Sequence, residues 1–201
     1  MPRLGKDFFT QSTVDVAKSL LGKLVVRRYN GLKLMGRVIE TEAYFGFNDR
    51  ASHAFKGRTA RTEVMFGPPG RVYVYFVYGL HYCLNVVTGA KDYPAAVLIR
   101  ALEIFNGDRK KKAYFTASGP AKVCRYLKID RAFNHENLLL SRRFWLEDLG
   151  DSDFHIVRSA RVGLGYAGPY WARRRLRFFI RGNPCISGNV DKPLAVSAHR
   201  F

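Results

Sequence analysis

Two runs of alternating side chains that meet at Tyr78-Gly79 constrain the fold of this chain more than any other stretch. From Val72 to Val77 the pattern fits a strand, because successive side chains of a strand point to opposite faces. Glycine accepts the positive φ that a tight turn requires, so Gly79 predicts a hairpin with Tyr78 at or beside its tip. The chain is therefore expected to contain an antiparallel sheet from which a hairpin protrudes.

Two residues of this hairpin, Tyr78 and Asn85, are of a type that is unusual at their predicted positions. An aromatic ring at a hairpin tip has no core to enter, so Tyr78 is a candidate wedge; the alternative is a tyrosine that covers the end of a core. Asn85 shares one face of the apolar return strand with His81 and Cys83. Because an unpaired buried amide costs about 1 to 3 kcal/mol, Asn85 is either a structural hydrogen bonder or a group that contacts the edge of a ligand.

The segment before the hairpin predicts a helix, two strands and a long functional loop. Residues 12–21 suit a helix capped by Ser12, and Leu24–Tyr29 suits a strand. The turn Asn30-Gly31 then leads into a return strand over residues 32–41, so Glu42 is expected at a strand end. Residues 45–70 have few strand or helix signals beyond a turn of helix around residues 62–66, and ordered loops of this length are usually functional.

The segment after the hairpin mixes strands and helices. Residues 95–102 predict a buried strand, in which Arg100 needs an anion or a set of acceptors. The remaining predictions are a solvated basic stretch at residues 108–114, helices at 119–127 and 135–145, and strands at 151–162 and 176–181.

The charge of the chain indicates a polyanionic partner. Its 34 Lys and Arg against 16 Asp and Glu give a net charge of +18, and such a field concentrates nucleic acid. A membrane surface is the competing polyanion, but no basic amphipathic helix or long apolar span appears in the sequence.

The cysteines favour a reducing compartment without a disulfide framework. Cys83, Cys124 and Cys185 are odd in number and far apart, which also fits no zinc-binding spacing. We therefore predict no metal and no cofactor. The N-terminus lacks the apolar core of a signal peptide, and a chain of 201 residues is expected to form one domain over residues 1–201.

Three segments could contact phosphates. The first amides of the helix at 119–127, ahead of Lys122, could hold an anion, although a plain helix start explains the same residues. Residues 163–168 match Gly-x-Gly-x-x-Gly without the βαβ unit of a dinucleotide site, so we expect a tight loop near a ligand or another strand. The arginine run at residues 173–177 is either a solvated face or a grip on phosphates.

A pair of carboxylates and several aromatic side chains in these segments could catalyse a reaction on a nucleic-acid base. Glu40 and Glu42 share a face if their strand continues, and two carboxylates can act as acid and base on a glycosidic bond; the alternative is a solvated pair at a sheet edge. Tyr44, Tyr75 and His53 could stack around a planar base turned out of a duplex. A glutamate beside that base could activate water against the anomeric carbon.

The order of these motifs resembles the alkyladenine (3-methyladenine, methylpurine) DNA glycosylase family from about Asp7 onward. The similar segments are Ile39-Glu-Thr-Glu-Ala-Tyr44, His53, Met65-Phe66, Val72-Tyr-Val-Tyr75 with Tyr78-Gly79, Cys83 and Asn85, Val97-Leu-Ile-Arg100-Ala101, Gly119-Pro-Ala-Lys-Val-Cys124, Ala160-Arg-Val-Gly-Leu-Gly-Tyr-Ala-Gly168 and Leu176-Arg-Phe-Phe-Ile-Arg-Gly182.

The resemblance implies a fold and an activity. The fold is an α+β domain around a curved antiparallel sheet with flanking helices and a protruding hairpin, like the C-terminal domain of formyltransferases. The activity is that of a monofunctional glycosylase, which flips an alkylated or deaminated purine out of double-stranded DNA and hydrolyses its N-glycosidic bond, leaving an abasic site. A monomer is expected, in the bacterial cytoplasm at the nucleoid, or in the nucleus if the source is eukaryotic.

The resemblance also implies roles for individual residues. Glu42 is the general base and Arg100 helps to hold its water, while Asn85 gives selectivity against normal guanine. The base pocket consists of Tyr44, His53, Tyr75 and Asn85. Tyr78 intercalates, and the DNA contacts are Tyr73, Leu80, Lys122, Arg161 and Gly165.

Two other functions fit part of the sequence. A glycosylase with lyase activity could use Pro2 as an amine nucleophile after loss of Met1, but the family that does so has a glutamate after its proline, whereas Arg3 stands here. The second alternative is a DNA- or RNA-binding module without catalysis, for which Glu42 would be dispensable. The ranking of 3-methyladenine, 7-methylguanine, hypoxanthine and ethenoadenine as substrates stays open at this point.

Overall fold

The computed structural model describes residues 1–105 and 116–188, and in these ranges nine strands form one sheet whose pairings are all antiparallel. The strands are β1 (Leu24–Tyr29), β2 (Leu32–Phe45), β3 (Val72–Val77), β4 (His81–Val87), β5 (Ala95–Ile104), β6 (Thr116–Ser118), β7 (Phe144–Glu147), β8 (Ile156–Ser159) and β9 (Arg177–Ile180). Their main order is β3-β4-β5-β2-β1-β7, with β6 beside β5 and the pair β8-β9 beside β2.

Within the same two described ranges, four short helices flank this sheet, which makes the fold α+β. They are α1 (Lys6–Thr10), α2 (Thr13–Ser19), α3 (Pro120–Leu127) and α4 (Pro169–Arg173), and 3₁₀ turns cover His53–Lys56, Glu63–Phe66, Arg131–Phe133 and Gly165–Ala167. The predicted cap of α2 is confirmed, because the Ser12 hydroxyl accepts from the Asp15 N–H at 3.2 Å. The packing of α2 on the sheet is fixed by the Thr41 hydroxyl, which donates to the Ala17 carbonyl at 2.7 Å.

Strand β2 is the longest strand and the centre of the fold. Along one edge it pairs with β5, and along the other it pairs first with β1 and then, over Glu40–Glu42, with β9. The prediction that this strand stops at Thr41 is therefore wrong. Glu42 lies inside the strand, because β5 and β9 hold both of its edges beyond the predicted end. The β2-β5 register shifts on both sides of Glu40, which pairs with Ala101, so that Arg100 has no registered partner in β2.

Two predicted elements differ from the structure. The helix expected over residues 135–145 is absent: the chain turns there and then enters β7. Local side chains cause this, because the Asn137 side-chain oxygen accepts from the Leu139 N–H and the Ser141 hydroxyl accepts from the N–H groups of Arg143 and Phe144. The strand expected over residues 151–162 is only the four-residue β8.

Other elements predicted from the sequence are confirmed. They include β1, the turn at Asn30-Gly31, the hairpin of β3 and β4, helix α3 after Gly119 and strand β9. The basic stretch predicted at residues 108–114 lies outside the described residues. In the part of the chain that the structure covers, we find no helix of the length and apolarity needed to cross a membrane.

Candidate active site

One row of registered residues crosses five strands and builds the floor of the candidate site. Tyr73 pairs with Asn85, Asn85 with Leu98, Leu98 with Glu42, and Glu42 with Arg177. Residues that pair directly across an antiparallel sheet point to the same face. The sheet therefore brings together side chains from distant parts of the sequence, and the pairing of β9 with β2 supplies the last of them.

A cavity of about 590 Å³ opens above this row, within the 300 to 1,000 Å³ typical of small-ligand pockets. Its walls contain the four predicted base-pocket residues together with Tyr78 and Arg100. The residues in question are Tyr44, His53, Tyr75, Asn85, Tyr78 and Arg100. The rings of His53 and Tyr75 meet edge-to-face, with centroids 4.5 Å apart, which leaves flat aromatic surface along the cavity.

Glu42 lies directly behind the cavity wall and is fully buried. Its Oε2 accepts from the Tyr44 hydroxyl at 2.8 Å and from Arg100 Nη1 at 3.2 Å, and its Oε1 accepts from the Val162 N–H at 2.8 Å. A carboxylate has about four lone-pair sites, so three donors from the described residues leave room for one more on Oε1. All three donor residues line the cavity.

Glu40 is also fully buried, and four donors from the described residues approach its carboxylate, three of them on Oε1. Its Oε1 accepts from Arg100 Nε at 2.8 Å, Arg177 Nε at 2.7 Å and the Ser187 hydroxyl at 2.8 Å, and its Oε2 accepts from the Ser187 N–H at 2.6 Å. The two glutamates do share a face, as predicted, since both contact Arg100. The alternative of a solvated pair at a sheet edge is wrong, because both carboxylates are inside the protein and paired with arginines.

His53 is a half-buried residue with both ring nitrogens engaged. Its Nδ1 lies 2.9 Å from the Tyr73 hydroxyl and its Nε2 lies 3.3 Å from Arg61 Nη2. A guanidinium only donates, so Nε2 accepts and the ring proton lies on Nδ1. Burial, and next the charge of Arg61, lower the pKa of His53 to about 4. The imidazole is therefore neutral near pH 7.

Tyr44 is held between a carboxylate and an arginine. Its hydroxyl donates to Glu42, and the guanidinium carbon of Arg161 lies 4.5 Å from the centre of its ring. Burial, and next the charge of Glu42, raise the pKa of Tyr44 well above its ordinary value. Arg161 is in turn fixed by two bonds to Asp49, of 2.6 and 2.9 Å, and one to the Ala43 carbonyl. The aromatic wall is thus rigidly supported.

The tip of the hairpin projects away from the protein. Tyr78 is 89% exposed and has a φ of +54°, and Gly79 follows with a φ of +66°. These φ values are those of the central residues of a type I′ turn, closed by the Leu80 N–H, which donates to the Val77 carbonyl at 3.0 Å. Because Val77 pairs with His81, the loop has three residues, 78–80. A tyrosine in this left-handed conformation is uncommon. The alternative that Tyr78 covers a core is wrong.

The five predicted DNA contacts divide into exposed and buried positions. Leu80, Lys122 and Gly165 are exposed, where a duplex could reach them. The side chains of Tyr73 and Arg161 are buried, and Arg161 is committed to its ion pair with Asp49. The prediction that Arg161 contacts DNA therefore does not fit the position of its side chain, and Tyr73 can meet only a group that enters the cavity.

Arg177 also differs from expectation. It belongs to the arginine run that was predicted to be solvated or to grip phosphates, yet it is 1% exposed and bonds Glu40. Because β9 begins at Arg177 and pairs with Glu42, its side chain enters the protein. The neighbouring Arg173 and Arg175 are exposed.

Three residues of the site were not singled out from the sequence. Arg61 lies in the cavity wall, with its guanidinium carbon 5.3 Å from the centre of the Tyr75 ring. Val162 presents its N–H to Glu42, and Ser187 bonds Glu40 and Arg100. Of the three, only Arg61 could have been suspected from the sequence, because it is a cation in the long loop that was predicted to be functional. In residues 1–105 and 116–188, no group of three or more His, Cys, Asp or Glu is arranged to hold a metal ion.

Comparison with known proteins gives a consistent result. A family model described as methylpurine-DNA glycosylase matches residues 7–184. A protein of Methanocella arvoryzae is 45% identical over 195 residues, which cover 93% of this chain and 96% of that protein. Similar proteins of Clostridium perfringens and Legionella pneumophila are 44% and 43% identical, over 92% and 93% of this chain and 98% and 99% of their own lengths. All three carry the provisional name 3-methyladenine DNA glycosylase.

Proposed function

The chain belongs to the methylpurine-DNA glycosylase family of N-glycosyl hydrolases, and on that premise we propose that it excises alkylated and deaminated purines from double-stranded DNA with a water molecule activated by Glu42. The observation that carries this proposal is the bonding of Glu42. It is a buried carboxylate that accepts three hydrogen bonds from the cavity wall, and among the described residues no fourth donor occupies it. The product is an abasic site in the DNA.

Glu42 acts as the general base in the proposed reaction. It takes one proton from water while the water oxygen bonds to C1′ of the deoxyribose, and the bond between C1′ and the purine nitrogen breaks. The electron pair of that bond leaves with the purine. Arg100, 3.2 Å from the carboxylate, holds the water beside Glu42. Tyr44 restricts the carboxylate to one orientation.

The charge of the damaged purine determines how much help its departure needs. Methylation at N3 or N7 makes the ring cationic, so the departing electron pair neutralises it and no acid is needed. Hypoxanthine and ethenoadenine are neutral and must gain a proton as they leave. Glu40 is unsuited to supply it, because it does not line the cavity and four donors from the described residues hold its carboxylate. We therefore expect cationic purines to be released faster, once bound, than neutral ones.

The cavity suits a purine that has left the base stack. Tyr44, His53 and Tyr75 supply flat surfaces against which the ring stacks. Asn85 is fixed at the floor, since its Nδ2 donates to the Tyr73 carbonyl at 3.1 Å. Its position supports the role of excluding the exocyclic amine of undamaged guanine. Tyr78, projecting from the hairpin tip, fills the space that the base vacates.

The net charge of +18 supports binding to the phosphate backbone. Affinity for a duplex should fall steeply with salt, by about 0.9 log units per phosphate contacted for each log unit of salt. Exposed Leu80, Lys122 and Gly165 lie among the groups that we expect at this interface.

A panel of duplexes, each with one damaged purine, tests the function. Single-turnover release of 3-methyladenine, 7-methylguanine, hypoxanthine and ethenoadenine should leave an abasic site that alkali cleaves, and strand cleavage without alkali should be absent. Release of none of these bases would contradict the proposal. Trapping of a covalent protein–DNA complex by borohydride would instead support the lyase alternative that uses Pro2.

A further inference from the structure

Resting on the function proposed above, we infer that Glu40 and Ser187 are positioning residues, which orient Arg100 so that one nitrogen of its guanidinium faces Glu42. Neither residue lines the cavity. Both act through Arg100, the group between them and the general base.

Arg100 is held at three of its nitrogens. Nε donates to Glu40 Oε1 at 2.8 Å, Nη2 donates to the Ser187 hydroxyl at 2.9 Å, and Nη1 donates to Glu42 Oε2 at 3.2 Å. Because the guanidinium is planar, the first two bonds fix the plane and rotation of the group. The direction in which Nη1 points then follows from Glu40 and Ser187, and the bond to Glu42 is the longest of the three.

Ser187 connects the other members of this hydrogen-bond network. Its hydroxyl accepts from Arg100 and donates to Glu40 Oε1, its N–H donates to Glu40 Oε2, and its carbonyl accepts from Arg177. It is 6% exposed and follows β9 at the end of the described chain. The loop that carries it is tied to β6, because the Ser118 hydroxyl donates to the Ile186 carbonyl at 3.1 Å.

Among the described residues, the charges of the buried cluster balance. Two carboxylates, Glu40 and Glu42, face two guanidinium groups, Arg100 and Arg177. Such pairs are costly to break singly, because the partner is left as an uncompensated buried charge. Glu40 therefore has two roles: it balances Arg177 and it anchors Arg100. Without it, both guanidinium groups would have Glu42 as their remaining carboxylate in this cluster.

Ser187 lies three residues beyond the stretch that the family model matches, which ends at residue 184. Its sequence surroundings, Cys185-Ile186-Ser187-Gly188, show no catalytic motif. Ser187 is 147 positions from Glu40 in the sequence, and only the folded structure brings the two residues into contact.

Three variants test the inference in single-turnover release of 7-methylguanine and hypoxanthine at saturating enzyme. Ser187→Ala removes both hydroxyl bonds but keeps the N–H bond to Glu40. It should lower the maximal rate about tenfold, since small misplacement of a catalytic group costs up to about 10²-fold. Affinity for a duplex with a tetrahydrofuran abasic analogue should stay within about twofold. Ser187→Thr, which keeps the hydroxyl, should restore most of the rate.

Ser141→Ala is the matched control. Ser141 is 7% exposed, and its hydroxyl accepts two backbone N–H bonds away from the site. Its loss should lower the melting temperature but not the rate per folded molecule. Glu40→Gln should lower the rate further, by about 10²-fold. If Glu40→Gln does not fold, as judged by circular dichroism, the comparison of Ser187→Ala with Ser187→Thr decides the matter.

The outcomes separate the two proposals. A wild-type protein that releases no damaged base would overturn the proposed function itself. An active wild type with Ser187→Ala at the same maximal rate would overturn only the positioning role. A lower rate that Ser187→Thr fails to restore, or an equal loss in Ser141→Ala, would show that the effect comes from general destabilisation, and this also overturns the positioning role.

Discussion

Glu40 and Glu42 point from the same face of β2 toward one guanidinium, and Arg100 bonds the first at 2.8 Å and the second at 3.2 Å. The two carboxylates are equally buried but differ in what surrounds them. Among the described residues, Glu40 accepts four hydrogen bonds and does not line the cavity, whereas Glu42 accepts three, all from residues that line the cavity. Glu42 is therefore the better placed of the two to activate water, and Glu40 is suited to a structural role. The sequence alone presents them as an equivalent pair.

Glu42→Gln should strongly slow base release while keeping DNA binding. The amide cannot take a proton from water, so we expect the single-turnover rate to fall by about 10² to 10⁴, the usual contribution of a general base. Gel-shift affinity for a duplex with an abasic analogue should change little. A variant as active as the wild type would contradict the assignment of Glu42 and would favour the alternative of a binding module without catalysis.

Tyr78→Ala should weaken capture of the flipped base. Because the ring is 89% exposed at the hairpin tip, its removal should cost little stability and leave the vacated space in the duplex unfilled. The measurement is the change in ethenoadenine fluorescence on binding, which should be smaller than for the wild type. Leu32→Ala is a suitable control, since Leu32 is 67% exposed at the other hairpin. Equal signals for Tyr78→Ala and the wild type would argue against the wedge.

Sequence patterns were sufficient for the local parts of the fold. Strand β1, the turn at Asn30-Gly31 and the hairpin at Tyr78-Gly79 follow from period-two alternation and from glycine in turns, which depend only on neighbouring residues. The helix predicted over residues 135–145 failed because its periodicity competes with side-chain bonds from Asn137 and Ser141 to the backbone. A prediction from hydrophobic periodicity alone does not take such hydrogen bonds into account.

Long-range pairing explains what the sequence could not predict about the site. The four predicted pocket residues do line one cavity, and Glu42 lies behind its wall. The pairing of β9 with β2, however, buries Arg177 and brings Ser187 to Glu40. No periodicity near residue 187 carries that information. Arg61 reaches the cavity because two 3₁₀ turns fold the long loop back over Tyr75.

Asn85→Ser should relax the discrimination against undamaged guanine. The amide is held by its bond to the Tyr73 carbonyl at the cavity floor, and serine leaves more space for an exocyclic amine. Release of guanine from an undamaged G·C duplex should rise several-fold, while release of hypoxanthine is largely kept. The measurement is the formation of alkali-sensitive sites at guanine over long incubation. A guanine background equal to that of the wild type would contradict this role.

Arg61→Gln should shift the preference of the enzyme toward cationic purines. The guanidinium borders the cavity beside His53 and Tyr75, so it repels a ring that carries a positive charge. Screening by solvent limits this repulsion, and we expect the ratio of 7-methylguanine to hypoxanthine release to rise about three- to tenfold. Arg58→Gln removes the same charge three residues earlier, where Arg58 pairs with Glu63 and Asp92. An equal ratio in the two variants would exclude a specific effect of Arg61.

His53 should make the stability of the fold depend on pH. Burial and the charge of Arg61 lower its pKa to about 4, whereas in the unfolded chain it is about 6.5. Between these values the unfolded state binds a proton that the folded state does not. The free energy of unfolding therefore falls as the pH drops from about 6.5 to about 4, by at most about 3 kcal/mol from this residue.

His53→Gln removes this contribution, so the difference in unfolding free energy between wild type and variant should shrink as the pH falls through that range. Urea denaturation at several pH values between 4 and 7 measures it, and His155→Gln, at an exposed position, is the control. The wild type should lose more stability than His53→Gln on acidification, because only the wild type has a neutral buried imidazole that the unfolded chain protonates. Parallel curves for the two proteins would mean that His53 titrates alike in both states, and the neutral, Nδ1-protonated ring inferred for the cavity wall would then be wrong.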